Sequence, residues 1–220
     1  MKRLVVLWYV LIMISLPLAV AILSGNVVLR LSATYVYHFN DSQVVDQVGS
    51  YVTGSQFADE ISGYFNSIGS KEFQVYEENG EFRDPIFDEK ESQVMARGRL
   101  IMNLTLALGV LLMGLAIGLY LFLVGKVPKI KLRRIGFGAL GISAGLTLAL
   151  VVAVGRKAVR EMLYTSFIGI ELGKGSTLKL LIGSPFEKTY IIFSTVLAVA
   201  MIGVLTYIHH SLTKEQRLFS

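Results

Sequence analysis

RGRLIMNLTLALGVLLMGLAIGLYLFLVGKVPKIKLRR, residues 97–134, carries two opposite messages side by side. Leu100 to Val124 holds no charged side chain. At about 1.5 Å per residue, a helix of that length crosses the roughly 30 Å hydrocarbon core of a bilayer. The loop that follows, 125–134, holds Lys126, Lys129, Lys131, Arg133 and Arg134 and no acid. Cations in a short loop resist translocation and mark the cytoplasmic side. One window therefore yields a transmembrane helix and its direction.

Three further runs are equally free of charge: Leu4 to Leu23, Ile135 to Val154 and Tyr190 to Ile208. Helix is the spanning form open to such isolated runs, since each must satisfy its own backbone in lipid. Lys2 and Arg3 precede the first span, and Lys214 and Arg217 follow the fourth. Both termini are thus expected in the cytoplasm. Residues 24–99 then form an extracytoplasmic cap, 155–189 an extracytoplasmic interfacial loop, and 209–220 a cytoplasmic tail. Lys2-Arg3, the apolar run and Ala19-Val20-Ala21 also resemble a secretory signal, but Ile22-Leu23 prolong the run beyond a usual h-region. We read an uncleaved anchor. The net charge of +5 is sorted by compartment, so it reports topology and anionic lipid rather than nucleic acid. No cysteine occurs, which excludes disulfides and thiolate metal sites. The pattern suits a bacterial plasma membrane, and no cofactor or metal is called for.

The cap is no linker. Twelve of the sixteen acidic residues lie between Asp41 and Glu91, amid many aromatics, whereas disordered segments are poor in the latter. Val27 to Phe39 reads as a strand or as an outward continuation of the first helix. Asp41 suits an N-cap for a helix through Val44, Val45, Val48 and Tyr51, broken at Gly54-Ser55. A second helix places Phe57, Ile61, Tyr64, Phe65 and Ile68 on one apolar stripe. Phe73 to Tyr76 reads as a strand, Asn79-Gly80 as a hairpin turn, and Glu81 to Phe87 as the return, with Pro85 near an edge. Asp88 with Glu91 three residues on is a helix-start signature, and that helix should run unbroken into the second span. The fold class expected is a membrane all-α protein of four transmembrane helices with a small α+β cap between the first two.

Within the spans, Gly114 and Gly118, and Gly141 and Gly145, are spaced for close helix approach, read as packing inside the bundle in preference to a dimerisation face. Arg156, Lys157 and Arg160 run against the positive-inside bias, and read either as partners of lipid phosphate or acids or as plain snorkelling cations. Soluble-enzyme motifs are missing: there is no P-loop, G-x-S-x-G elbow, H-E-x-x-H or C-x-x-C. His209 and His210 fall at the cytoplasmic end of the last span, where imidazole can snorkel and complement the helix terminus. His38 stands among aromatics and reads as packed or surface-lying.

The order of elements resembles the lipoprotein intramolecular transacylase family over the whole chain. Local likenesses are Tyr35 and Tyr37, the expected helix around Val44 to Tyr51, the stretch Phe87-Asp88-Glu89-Lys90-Glu91-Ser92-Gln93-Val94-Met95, and Pro185-Phe186. The resemblance implies acyl transfer from a lipoprotein's glyceryl group to its N-terminal amine at the cap–membrane boundary. It also implies one catalytic histidine where this chain has Val94, and another near Met162 to Thr165, where no histidine stands. Aminolysis needs a base near neutral pKa and an oxyanion donor. The groups left to supply them are Glu91 or Glu161 as base, with Arg97, Arg160 or Tyr164 stabilising charge. Tyr35, Tyr37, Phe87 and Phe167 are the substrate-binding candidates.

Two functions follow from this reading. In the first, the chain is a divergent relative that binds or processes acyl lipid or diacylated lipoprotein at the outer leaflet; any turnover would be acyl transfer. In the second, it is a non-enzymatic partner subunit of a transporter or signalling complex, whose acidic cap binds a membrane or exported protein.

Overall fold

Helix dominates the computed structural model, which describes residues 2–42, 44–45, 48, 52–67, 72–79, 82–159, 173 and 175–214. In chain order the elements are α1 (Lys2–Val28), α2 (Ser32–Ser42), α3 (Gly54–Asn66), β1 (Tyr76–Asn79), β2 (Phe82–Pro85), α4 (Glu89–Leu123), α5 (Lys129–Val154), α6 (Thr177–Ile182) and α7 (Ser184–Thr213). Among the described residues, α1, α4, α5 and α7 are long and apolar enough to cross a membrane. Their outward faces are correspondingly greasy: Leu111 and Val196, for example, are exposed. In water such surface would be untenable, and in lipid it is the solvent-facing side.

The chain divides into two compact units. A helical unit comprises Met1–Ser24, Thr105–Val152 and Thr195–Ser220. Its core gathers Ile12, Leu123, Leu132, Ile135 and Ala139. Trp8 meets Phe122 edge-on at 4.7 Å. Small residues do permit close approach here, but not the four expected. A Cβ on Gly109 would lie 2.8 Å from Leu23, and one on Gly138 3.2 Å from Met13. Gly114, Gly118, Gly141 and Gly145 have no described atom within 4 Å of that position. Their expected packing role inside the bundle is therefore not realised. Four-residue spacing fixes a shared face, and only the neighbouring helix decides whether that face is used.

A mixed unit comprises Gly25–Leu104 and Ala153–Ser194. Its core is a chain of rings: Phe39 meets Phe57 at 6.5 Å, Phe57 meets Phe87 at 6.2 Å, and Phe87 meets Phe73 at 4.8 Å. Such offset and edge-on contacts add about 0.5–1.5 kcal/mol per pair beyond burial. The stripe on α3 supplies Phe57, Ile61, Tyr64 and Phe65 to this core, as its period demands; Ile68 lies outside the described residues.

Several local expectations are corrected. Val27 to Phe39 is neither a strand nor an unbroken helix: α1 stops at Val28 and α2 starts at Ser32. Two side chains explain the break. Thr34 Oγ1 donates to Val28 O at 2.9 Å, and Tyr35 Oη to Leu29 O at 2.7 Å, capturing terminal carbonyls of α1. Asp41 is not an N-cap but part of the last turn of α2. Val44 and Val45 fall in a turn, and most of the helix expected to Tyr51 lies outside the described residues. Gly54 does not break a helix; it opens α3 behind a capping box in which Thr53 and Gln56 bond reciprocally. The packing there is close, since a Cβ on Gly54 would come 3.2 Å from that of Phe39.

The hairpin forms with Tyr76 opposite Pro85 and Asn79 opposite Phe82, so its two connecting positions are 80–81, one later than expected. The strand starts at Tyr76 rather than Phe73; Phe73 O accepts from the hydroxyl of Ser92 at 3.0 Å instead of from the opposite strand. The start signature at Asp88 and Glu91 is realised as a reciprocal pair. Glu91 N donates to Asp88 Oδ1 at 2.7 Å, and Asp88 N to Glu91 Oε2 at 2.9 Å. From there α4 runs without interruption to Leu123.

Candidate functional site

Glu91 is the polar centre of the mixed unit. It is 2% exposed, on the first turn of α4. Besides accepting from Asp88 N through Oε2, it accepts through Oε1 from Ser176 Oγ at 2.5 Å and Leu178 N at 2.9 Å. Ser176 caps α6, so one carboxylate ties the start of α4 to the start of α6. Both oxygens are committed to donors, and removing the group would leave them without partners in a buried place.

The other end of α6 is held by His38, likewise 2% exposed. Its Nε2 lies 3.0 Å from Leu181 O, so that nitrogen carries the proton and donates. Its ring stands edge-on to Phe186 at 5.3 Å, while Tyr35 stacks on Phe186 at 5.2 Å and 7°. Burial pushes the Tyr35 phenol well above its ordinary value, with Tyr190 adding to the effect. Thus α6 is clamped between α2 and α4 by a histidine and a carboxylate.

A second polar group was missed in the sequence. Arg30, just past the end of α1, donates from Nε to Asn26 Oδ1 at 2.9 Å, from Nη2 to Asn103 Oδ1 at 2.6 Å, and from Nη1 to Phe65 O in the last turn of α3. Asn26 Nδ2 donates in turn to Met102 O at 2.6 Å, and Asn66 Nδ2 to Arg30 O at 2.8 Å. Burial draws the Arg30 guanidinium below its ordinary value. Arg99 reaches the same end of α3. It lies 4.3 Å above the Tyr64 ring, and its Nη1 is 3.2 Å from Ser67 Oγ. Burial raises the Tyr64 phenol against the opposing pull of Arg99. The available signal was a lone arginine in the apolar run Val27-Val28-Leu29-Arg30-Leu31.

Of the sequence-derived candidates, Tyr35 and Phe87 share the ring-lined core with Val94, which is buried beside Met95. Tyr37 points outward, 52% exposed, with its ring 5.4 Å from Phe193. Arg97 is exposed on α4. Arg160, Glu161, Tyr164 and Phe167 lie outside the described residues, as does the stretch Met162 to Thr165. No group of three metal-ligating side chains occurs among the described residues.

In the helical unit, His209 is buried rather than snorkelling. Tyr120 Oη lies 2.6 Å from Nδ1, and Arg133 O accepts from Nε2 at 3.2 Å. A carbonyl only accepts, so the proton sits on Nε2 and the tyrosine donates to Nδ1. Phe137 meets the ring edge-on at 4.9 Å, and a Cβ on Gly136 would collide with it. His210 is exposed, as adjacent helix positions require. The glycine opposite the histidine was the overlooked clue.

No family model and no curated protein matches this chain. Two solved structures do, both of the membrane integral lipoprotein intramolecular transacylase Lit from Bacillus cereus. The first has a TM-score of 0.77 at 10% identity and covers 100% of this chain and 100% of that one. The second, carrying a histidine-to-arginine substitution, has a TM-score of 0.76 at 9% identity and covers 99% and 95%. The likeness of fold therefore runs the full length, at an identity too low to carry residue roles. With four apolar helices, it makes this chain a multi-pass, mostly helical membrane protein of Lit-like fold.

Proposed function

We propose that this protein is a divergent relative of the transacylases that binds acyl lipid or diacylated lipoprotein at the outer leaflet of a bacterial plasma membrane, without histidine-based acyl transfer. The supporting observation is the correspondence of fold along the whole of both chains. Residues 25–99 of the expected cap fall in the mixed unit, and Tyr37 would be its exposed aromatic contact. The lack of transfer is argued from chemistry. The side chain at 94 is an aliphatic one in the core, and Glu91 is committed to three donors. Neither is a free base for the amine proton.

Expression in a host that makes only diacylated lipoproteins tests this, with mass spectrometry of lipoprotein N-termini and of what co-purifies. Unmodified amines together with co-purifying diacylated lipopeptide are expected. An acyl group on nitrogen would show active transfer instead, through groups such as Glu161, Arg160 or Tyr164.

A partner-subunit role has one observation in its favour: the rings of Tyr35, Phe39, Phe57 and Phe87 fill the mixed unit's core rather than leave it hollow. Co-purification of a stoichiometric membrane or exported protein, without lipopeptide, would select that reading.

A further inference from the structure

Arg30 is a positive charge held in place by neutral atoms. Its acceptors are two side-chain amide oxygens and one backbone carbonyl. A guanidinium carries five N–H donors, so two remain beyond those three bonds among the described residues. Fixing the group this way removes its rotamer freedom before any ligand arrives, which is the costly part of binding by a long side chain. Arg99 brings a second guanidinium to the last turn of α3, where Phe65 and Ser67 are two residues apart. Arg99 and Asn103 are also four apart on α4 and share a face of that helix.

The surroundings specify what kind of anion fits. Arg30 stands two residues beyond the candidate span Val5–Val28, and Asn103 three residues into the charge-free run that begins at Leu100. The bond from Asn26 to Met102 O ties the last turn of α1 to the body of α4. Beside the arginines, Leu100 and Leu104 are 60% and 62% exposed, with Leu31 also outward. A fork of N–H donors adjoining apolar side chains, where apolar helices meet polar structure, matches a headgroup phosphate and the first carbons of its acyl chains.

We propose that Arg30, held by Asn26 and Asn103 and flanked by Arg99, binds the phosphate of an anionic glycerophospholipid. The site is independent of any acyl-transfer or lipoprotein role. Native mass spectrometry of the full chain in detergent, titrated with phosphatidylglycerol, phosphatidylcholine or inorganic phosphate, tests it. The expected result is one phosphatidylglycerol retained through detergent exchange that strips phosphatidylcholine, with no effect of phosphate at equal concentration.

Asn103→Asp is the discriminating variant. Its carboxylate would pair with Arg30, so a purely structural arginine keeps or gains thermal stability and leaves lipid retention unchanged. A phosphate site instead loses retention by about tenfold, the scale of one charge-assisted hydrogen bond. Arg99→Gln should lower retention in the same direction and serves if Asn103→Asp fails to fold. Equal retention of both lipids, or unchanged retention in the variants, would reduce Arg30 to a helix-end tie. Displacement of the lipid by inorganic phosphate would make it a site for a free anion and overturn the lipid assignment.

Discussion

Glu91 and Arg30 are both charged, both stand near the end of a long apolar helix, and both join elements distant in sequence. They differ in how completely they are satisfied. Glu91 is buried and accepts from three donors, with both of its oxygens engaged. Arg30 is half-buried among neutral acceptors with donors to spare. A saturated buried ion behaves as a strut, because any substitution strands its partners. An ion with unfilled capacity at a boundary can take a ligand at little structural cost. The count of filled hydrogen-bonding positions, more than the charge itself, separates the two roles.

The largest effect should come from breaking the strut. Glu91→Ala removes the acceptor of Asp88 N, Leu178 N and Ser176 Oγ, three charge-assisted hydrogen bonds whose loss together costs about 3–5 kcal/mol. The detergent-solubilised protein should melt lower by roughly 6–15 °C. A change within about 2 °C would show that Glu91 is not a strut and reopen it as a base.

Gly136→Ala asks whether saturation has the same meaning in the helical unit. The new methyl must displace His209 from Tyr120 and Arg133 O. A cost of about 1–3 kcal/mol is expected, as for other overpacked sites. The double variant with His209→Ala should recover part of it, and a strictly additive double-mutant cycle would refute the contact.

Arg30→Ala should cost less than Glu91→Ala, about 1–2 kcal/mol, because the acceptors it leaves behind are neutral and one of them, Asn103, is at an exposed contact. Equal melting losses for the two variants would show that Arg30 is as much a strut as Glu91.

Tyr35→Phe is the mildest change, removing one hydroxyl from Leu29 O for about 1 kcal/mol. It also carries a pH signature. The folded state holds the Tyr35 phenol neutral well above the value of 10.0 that it has when exposed. Its contribution is therefore fully present below pH 10 and declines as pH rises above that value. Thermal melts of the wild type should fall in that alkaline window, and the phenylalanine variant should fall less steeply.

Legibility differed along the chain for physical reasons. The spans, the α3 stripe and the Asp88–Glu91 start signature were readable because each depends on neighbours within a turn or on length against bilayer thickness. The α1–α2 break was not, because it depends on Thr34 and Tyr35 folding back onto carbonyls six residues earlier. Thr53 and Gln56 were readable in principle, but Gly54-Ser55 was given the weight of a breaker. Glu91 was singled out from its place in a family-like stretch; that it meets Ser176 and Leu178, 85 and 87 residues away, has no local signature.

The amino-acid order alone determined that four helices are apolar throughout and that the acidic, aromatic-rich segment between the first two is structured. Both follow from side-chain chemistry summed over short windows. The tertiary structure alone decided which glycines meet a neighbour, that His209 is buried, and that Arg30 bonds Asn103 while Arg99 reaches the same end of α3. Those outcomes depend on which surfaces the chain brings together across many tens of residues, and no local period encodes that.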